Sequence, residues 1–270
     1  MTTNYSRVKQ FNEVFGHPAP NTHQTSIFRD LPETVSLRNS LIKEEITELH
    51  EALQDEDVVE IIDAISDIQY VAYGLLVVYG VDGDAEYTKY MDNKYELLDC
   101  ARNDEIRNMT NYNQTLQFIS NILNGGSIDS SPKTFLDRYT EASFRCSFNN
   151  YLSELLSGFE DLEVATNSKN FDDTIQSTLS IIYITYVLGA LVSVDVDESV
   201  RLVHDSNMSK ISSSQAEAEQ TIIWYRENEP RYDSPQYRSS EFGYIIFNES
   251  TGKILKNINY KPVDLSVFMQ

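Results

Sequence analysis

Residues 41–67 read LIKEEITELHEALQDEDVVEIIDAISD, and the spacing of their acids against their aliphatic residues decides the fold. Two helices joined by the polar break at 54–57 would set Glu45 and Glu48 one turn apart on the first. Glu60, Asp63 and Asp67 would then share a stripe of the second. A short-linked helical hairpin brings these five carboxylates to one space. Lys43 is the one Lys or Arg in the stretch, so the counter-charge must come from elsewhere in the chain.

Working outward, Leu37, Leu41, Ile42, Leu49 and Leu53 give a second helix over roughly 36–53 an apolar face beside the acids. Asp57 is placed to cap a third helix, which runs to about Tyr79 and stops at Gly80. Its other residues are almost all apolar, aromatic or Gly, so it belongs at the centre of a bundle. A shorter helix over 4–15 precedes them, separated by the proline-bearing loop GHPAPNTHQT. A fourth, capped by Asp82 or Asp84, runs to near Cys100.

The pattern occurs twice. Asn4-Tyr5 and Gln10-Phe11 recur as Asn111-Tyr112 and Gln117-Phe118, and Ser36-Leu37-Arg38 as Ser143-Phe144-Arg145, all displaced by 107. Tyr70-Val71-Ala72-Tyr73 recurs as Tyr183-Ile184-Thr185-Tyr186, and Val81-Asp82 as Val194-Asp195, displaced by 113. Four matches in order imply two copies of one helical unit, with six residues inserted in the second. Aligned this way, Leu152 and Leu155 stand opposite Glu45 and Glu48, while Asp173, Gln176 and Ser180 stand opposite Glu60, Asp63 and Asp67. The second unit therefore reads as degenerate, kept for packing. Beyond residue 211 a polar linker holding the single Trp224 precedes a β-hairpin, with strands at 242–247 and 253–255 and its turn at Asn248 to Gly252. An extended tail follows.

Acids on a helix are usually a solvated face, and Glu44, Glu51, Asp55, Glu56 and Asp57 read that way. Glu60, Asp63 and Asp67 do not, because Ile61, Ile62, Ala64, Ile65 and Ile68 take up most other directions around the same helix. Carboxylates converging on an enclosed space require cations. Oxygen donors without Cys or His favour Mg²⁺, or Mn²⁺, over zinc. His17, His23, His50 and His204 show no ligand spacing.

The 270 residues carry 42 acids against 21 Lys and Arg, a formal net charge of −21. Such a field repels polymeric nucleic acid and anionic membranes, and it repels a nucleotide triphosphate too unless metal ions intervene. Two cysteines without a pairing framework point to a reducing, cytoplasmic setting. MTTNYSRVKQFNEVF has no signal-peptide core, and the apolar run at 181–194 is shorter than the roughly 20 residues a span requires.

Glu44-Glu45-Ile46-Thr47-Glu48-Leu49 followed by Glu60-Ile61-Ile62-Asp63 resembles the EExxEL and ExxD motifs of the MazG-like, all-α nucleotide pyrophosphohydrolases. That superfamily includes dimeric dUTPases and phosphoribosyl-ATP pyrophosphohydrolases. Asp67 to Gly74 is similar to the DLxYVxYG run of a phosphoribosyl-ATP pyrophosphohydrolase-like branch. Val203 to Lys210 and Gly252 to Lys256 resemble its unit-closing segment and its tail.

The resemblance implies an all-α chain of two tandem four-helix units, 1–110 and 111–225, forming an intramolecular pseudo-dimer, with 226–270 as linker, hairpin and tail. It implies that Glu45, Glu48, Glu60 and Asp63 hold Mg²⁺, with Glu48 orienting the attacking water and Asp67 supporting the ligands from behind. Asn207 and Lys210 would reach substrate phosphates, although Lys210 could equally serve a helix C-terminus. The implied reaction is cleavage of a nucleoside triphosphate at the α-phosphorus to monophosphate and pyrophosphate. The other reading is a nucleotide-binding sensor or scaffold that has lost turnover. Such proteins assemble as dimers or tetramers, which allows a homo-dimer of the tandem chain.

Overall fold

The computed structural model describes residues 2–97, 109–122, 132 and 135–270. In the first half, α1 (Asn4–Phe15), the short α2 (Ile27–Asp30), α3 (Pro32–Gln54), α4 (Val58–Val78) and α5 (Gly83–Leu97) follow in order. Next come α6 (Asn111–Ile122), α7 (Phe135–Thr140), α8 (Ala142–Asn167), α9 (Phe171–Val192), α10 (Val196–Met208) and α11 (Gln215–Asn228). Two antiparallel strands, β1 (Pro235–Ser240) and β2 (Gly243–Asn248), and a 3₁₀ turn at Ser266–Met269 complete the chain. The expected end of α5 near Cys100 lies outside the described residues.

Local chemistry sets the helix ends. Pro32 begins α3, where its missing N–H costs nothing. Asp57 caps α4 by accepting from the N–H groups of Val59 and Glu60, and Asn170 caps α9 by accepting from Asp173. Asp82 and Asp195 do the same for α5 and α10. Asp57 and Asn170, like Asp82 and Asp195, are 113 residues apart. So are Glu56 and Lys169, both left-handed at φ 56° and 58°, and Gly80 and Ser193 at 69° and 68°.

The buried positions settle how the two hairpins α3–α4 and α8–α9 correspond. Val35, Ile42, Ile46, Leu49 and Ala52 line the inner face of α3; Phe148, Leu155, Phe159, Leu162 and Ala165 line that of α8, each displaced by 113. At 107 the same faces would turn to solvent. The match of Ser36-Leu37-Arg38 to Ser143-Phe144-Arg145 therefore does not fall at corresponding positions of the two hairpins. This corrects the pairing of Leu152 and Leu155 with Glu45 and Glu48: the true counterparts are Gly158 and Asp161.

Helices α4 and α9 pack together at the centre, each against its own hairpin partner, and α1 and α10 both pack on α4. Each of the two central helices is long and apolar enough by length and composition to cross a bilayer, and both are largely buried here. Residues 181–192 of the apolar run thus form the second part of a 22-residue helix that begins at Phe171.

Where the halves meet, the contacts are reciprocal. Asn4 Nδ2 donates to Tyr186 Oη at 3.3 Å and to Asp197 Oδ1 at 2.8 Å. Asn111 Nδ2 donates to Tyr73 Oη at 3.0 Å and to Asp84 Oδ1 at 3.4 Å. The hydroxyls of Tyr73 and Tyr186 meet at 3.5 Å on the axis between them. Helix α1 thus binds α9 and α10, and α6 binds α4 and α5, through the same residue types.

The C-terminal region departs from expectation. Residues 215–228 form a full helix, capped by Ser214 and packed on the hairpin through Ala218, Ile222, Tyr225, Ile246 and Leu255. The structural break falls near Ser213, so a boundary at 226 would cut this helix. The strand partner of 243–248 is 235–240, in what reads as linker, and the hairpin turns at Glu241-Phe242. Residues 253–255 contribute one isolated bridge, Phe247 to Ile254. The tail returns to the bundle, where Leu265 is buried in the main core.

Candidate functional site

The hairpin α3–α4 brings the five acids together as their spacing requires. Glu45 is half-buried on α3, and Glu48 and Glu60 are exposed at the rim. Asp63 and Asp67 are half-buried on α4. Burial raises the Glu45 carboxyl to about 8, reinforced by Glu48, Glu44 and Asp63, so at neutral pH it donates a hydrogen bond to Glu48. Burial, then Glu60 and Glu48, push Asp63 up to about 6, and burial with Asp63 and Glu45 pushes Asp67 well up. Like charges crowd one space at a cost in stability, which is how functional carboxylates are commonly held.

The missing counter-charge arrives from far along the chain. Lys210, just past the end of α10, bears on Asp67, and Lys256 on Asp63. Lys210 Nζ donates to Asn207 Oδ1 at 2.5 Å, and Asn207 also bonds Tyr70 on α4. Asn207 and Lys210 therefore stand at the first unit's carboxylates although they belong to the second. Arg38, two turns before Glu45 on α3, has a buried Nε with no hydrogen-bond partner among the described residues; burial lowers its guanidinium to about 10. Arg38 and Lys256 were not anticipated. For Arg38 the signal was present, since it is seven residues before Glu45 and so on the same helix face. Tyr73 and Phe15 are fully buried core, and Tyr70 nearly so.

The donor set suits a hard divalent cation: oxygen ligands only, with Asp63 Oδ1 buried and lacking a hydrogen-bond partner among the described residues. As they stand the carboxylates do not close on one point. No group of three His, Cys, Asp or Glu side chains among the described residues forms a ready metal cage. Glu45 instead shares its proton with Glu48, an arrangement a cation would replace.

In the second hairpin the corresponding positions are Gly158, Asp161, Asp173, Gln176 and Ser180. Two acids survive, one more than the sequence alignment allowed, both exposed. The position of Asn207 is taken by Lys94, whose Nζ lies 4.2 Å above the ring of Tyr183, the counterpart of Tyr70. A lysine over that ring fills the place where the first site keeps its amide.

An all-α bundle whose central hairpin carries ExxE and ExxD carboxylates on facing helices defines the class of MazG-like nucleotide pyrophosphohydrolases. Residues 8–90 match the family model described as phosphoribosyl-ATP pyrophosphohydrolase, and the chain belongs to that family. Over 272 aligned residues it is 31% identical to an uncharacterised protein of Acanthamoeba polyphaga mimivirus, an alignment covering 99% of this chain and 96% of that one. No solved structure matches the chain. Family membership carries a nucleotide pyrophosphohydrolase-like activity, hydrolytic in kind.

Proposed function

We propose that the protein is a Mg²⁺-dependent nucleoside triphosphate pyrophosphohydrolase with one working site, on the first hairpin. The observation that carries this reading is the crowding of Glu45, Glu48, Glu60 and Asp63 on facing helices, each bearing on another, with a buried Asp63 oxygen that has no hydrogen-bond partner among the described residues. Those four residues would hold Mg²⁺, or Mn²⁺, which when bound neutralises phosphate charge and acidifies water.

The chain's own residues account for the rest of the reaction. Glu48, at the open rim, orients a water and takes its proton as the water oxygen bonds to the α-phosphorus. The bond from that phosphorus to the bridging oxygen breaks, giving nucleoside monophosphate and pyrophosphate. Asn207 and Lys210 hold phosphate oxygens by charge-assisted contacts. Asp67, behind Asp63, keeps Lys210 turned toward the site. The substrate is a free nucleotide in the cytoplasm rather than a nucleic acid chain.

The same reading takes the two units as copies of one ancestral unit. Their support is the shared displacement of 113 in caps, turns and buried positions, together with the reciprocal Asn–Tyr–Asp contacts.

Pyrophosphate release from a panel of ribo- and deoxynucleoside triphosphates, with and without Mg²⁺, tests the proposal. The wild type should release it only with Mg²⁺, and Glu48→Gln should be slower by about 10²-fold or more. Nucleotide binding without release from any member of the panel would replace the enzyme with a sensor.

A further inference from the structure

The region after the helical units is not covered by the family match, yet it builds a cleft of about 810 Å³ beside the acids. Lys210, Trp224, Arg231, Tyr232, Lys253 and Lys256 line it, with Glu229 among the other lining residues. Glu229 is occupied by Arg231, at 2.9 Å. Lys210, Lys253 and Lys256 make no ion pair with any described residue, in a chain whose net charge is −21. Three ammonium groups sharing one cleft, none in a direct ion pair and two of them offset by the neighbouring Asp67 and Asp63, repel each other, an arrangement that stores affinity for an anion. Burial, followed by Lys256, lowers Lys210 to about 8, with Lys253 adding to it.

The lysines are presented by a fixed backbone. Asn257 Nδ2 donates to the carbonyls of Ser209 and Ile211, both at 2.8 Å, which clips the tail to the end of α10 beside Lys210. Lys256 N–H donates to Tyr225 Oη at 3.1 Å, and Ser206 and Tyr260 share a hydroxyl contact at 2.8 Å. The cleft adjoins the carboxylates, since Lys210 bears on Asp67 and Lys256 on Asp63. An anion in the cleft would therefore reach the acid cluster with one end, and a chain of phosphates has that form.

We infer that the C-terminal region forms a polyphosphate subsite, in which Lys210, Lys253 and Lys256 hold the β- and γ-phosphates of the substrate and the pyrophosphate it leaves as. This assignment rests on the reading of the acids as the place of cleavage at the α-phosphorus. The direction follows from charge: the acids, which would hold the cation, take the α-phosphate end, and the lysines take the end that carries most of the remaining negative charge.

Trp224, the single tryptophan, lines the cleft at 44% exposure and reports its occupancy without labelling. Inorganic tripolyphosphate is titrated into the full chain in a chelating buffer, with sulfate at matched ionic strength as control. Tripolyphosphate should shift Trp224 fluorescence saturably and sulfate should not. Lys253→Ala/Lys256→Ala, both exposed positions, should weaken binding at least tenfold, while Lys89→Ala, on α5, paired with Glu86 and absent from the cleft lining, leaves it unchanged. In turnover the double variant should raise KM at least tenfold with kcat within threefold. Equal responses to sulfate and tripolyphosphate, or unaltered affinity in the double variant, would overturn the subsite. Lysine-dependent binding without hydrolysis of any nucleotide keeps the subsite and removes the proposed reaction. Hydrolysis indifferent to both lysines does the reverse.

Discussion

The hairpins α3–α4 and α8–α9 share their turn, their cap position and their buried faces, and differ at the positions that face the acid space. Where the first holds Glu45, Asp63 and Asp67, the second holds Gly158, Gln176 and Ser180. Scaffold and chemistry are thus separable in this fold. The buried residues and the reciprocal contacts fix the helices, and the acids add to neither; by crowding like charge they work against stability.

The sharpest way to break this comparison is to remove one acid and its counterpart. Asp63→Asn should lower kcat/KM by about 10³-fold, roughly 4 kcal/mol of transition-state stabilisation, while Gln176→Ala changes it less than twofold. Without divalent cations Asp63→Asn should also melt higher than the wild type, because one like charge has left the cluster. A comparable loss from Gln176→Ala would mean that the second hairpin takes part in the chemistry. Steady-state kinetics with calorimetry on the metal-free proteins reads both effects.

Next in size is the turn after the central helix, which both halves close with φ near +69°. At Gly80 a Cβ would lie 1.9 Å from the Thr22 carbonyl oxygen, so Gly80→Ala combines left-handed strain with a backbone clash and should cost about 3 kcal/mol. Ser193 already carries a side chain at the same dihedral, and Ser193→Gly should gain about 0.5 kcal/mol, relief of strain less the entropy of the unfolded glycine. Urea unfolding of the two variants checks the contrast.

A third contrast is His204 against its counterpart Met91, both buried. His204 lies between Tyr70 Oη at 3.1 Å and Gln10 Oε1 at 3.3 Å, and burial lowers it to about 4. Its folded-state pKa is below its unfolded one, so its contribution is complete above about pH 6.5 and is lost as pH falls toward 4. Relative to His204→Met, the wild type should lose about 2 kcal/mol between pH 7 and 5. Parallel stability curves for the two proteins across that range would show that His204 is not held neutral.

How much of this was legible in the sequence follows from where the signal is local. The helical hairpin and its acids rest on spacing within 27 residues, and Asp57 and Gly80 punctuate it in the expected way. The register of the second hairpin differs from the expected one because a three-residue match carries no packing information, whereas the burial rhythm from Phe148 to Ala165 does. β1 was hidden because PQYRSS is polar and its ladder has a partner on one side only. Lys253 and Lys256 reach the site through the Asn257 clip, a contact across 46 to 48 residues that no local pattern encodes.

The smallest effects should come from the axis between the units. Asn4 is 2% exposed and donates to Asp197 at 2.8 Å, while Asn111 reaches Asp84 at 3.4 Å. Asp84 also accepts from Thr3 at 2.6 Å, so it keeps a strong partner when Asn111 is lost. Asp197 likewise keeps Tyr186 Oη at 2.8 Å when Asn4 is lost, so the difference rests on the amides: Asn4→Ala should cost about 2 kcal/mol and Asn111→Ala about 1 kcal/mol, because Asn4 is the more buried and makes the shorter bond. Because Tyr73 and Tyr186 touch each other, each Asn orients the hydroxyl that the other's tyrosine meets. The double variant should then depart from additivity by about 0.5 kcal/mol or more. Strict additivity would mean that the two halves are joined by apolar packing alone, and that the reciprocal hydrogen bonds only follow the symmetry that packing imposes.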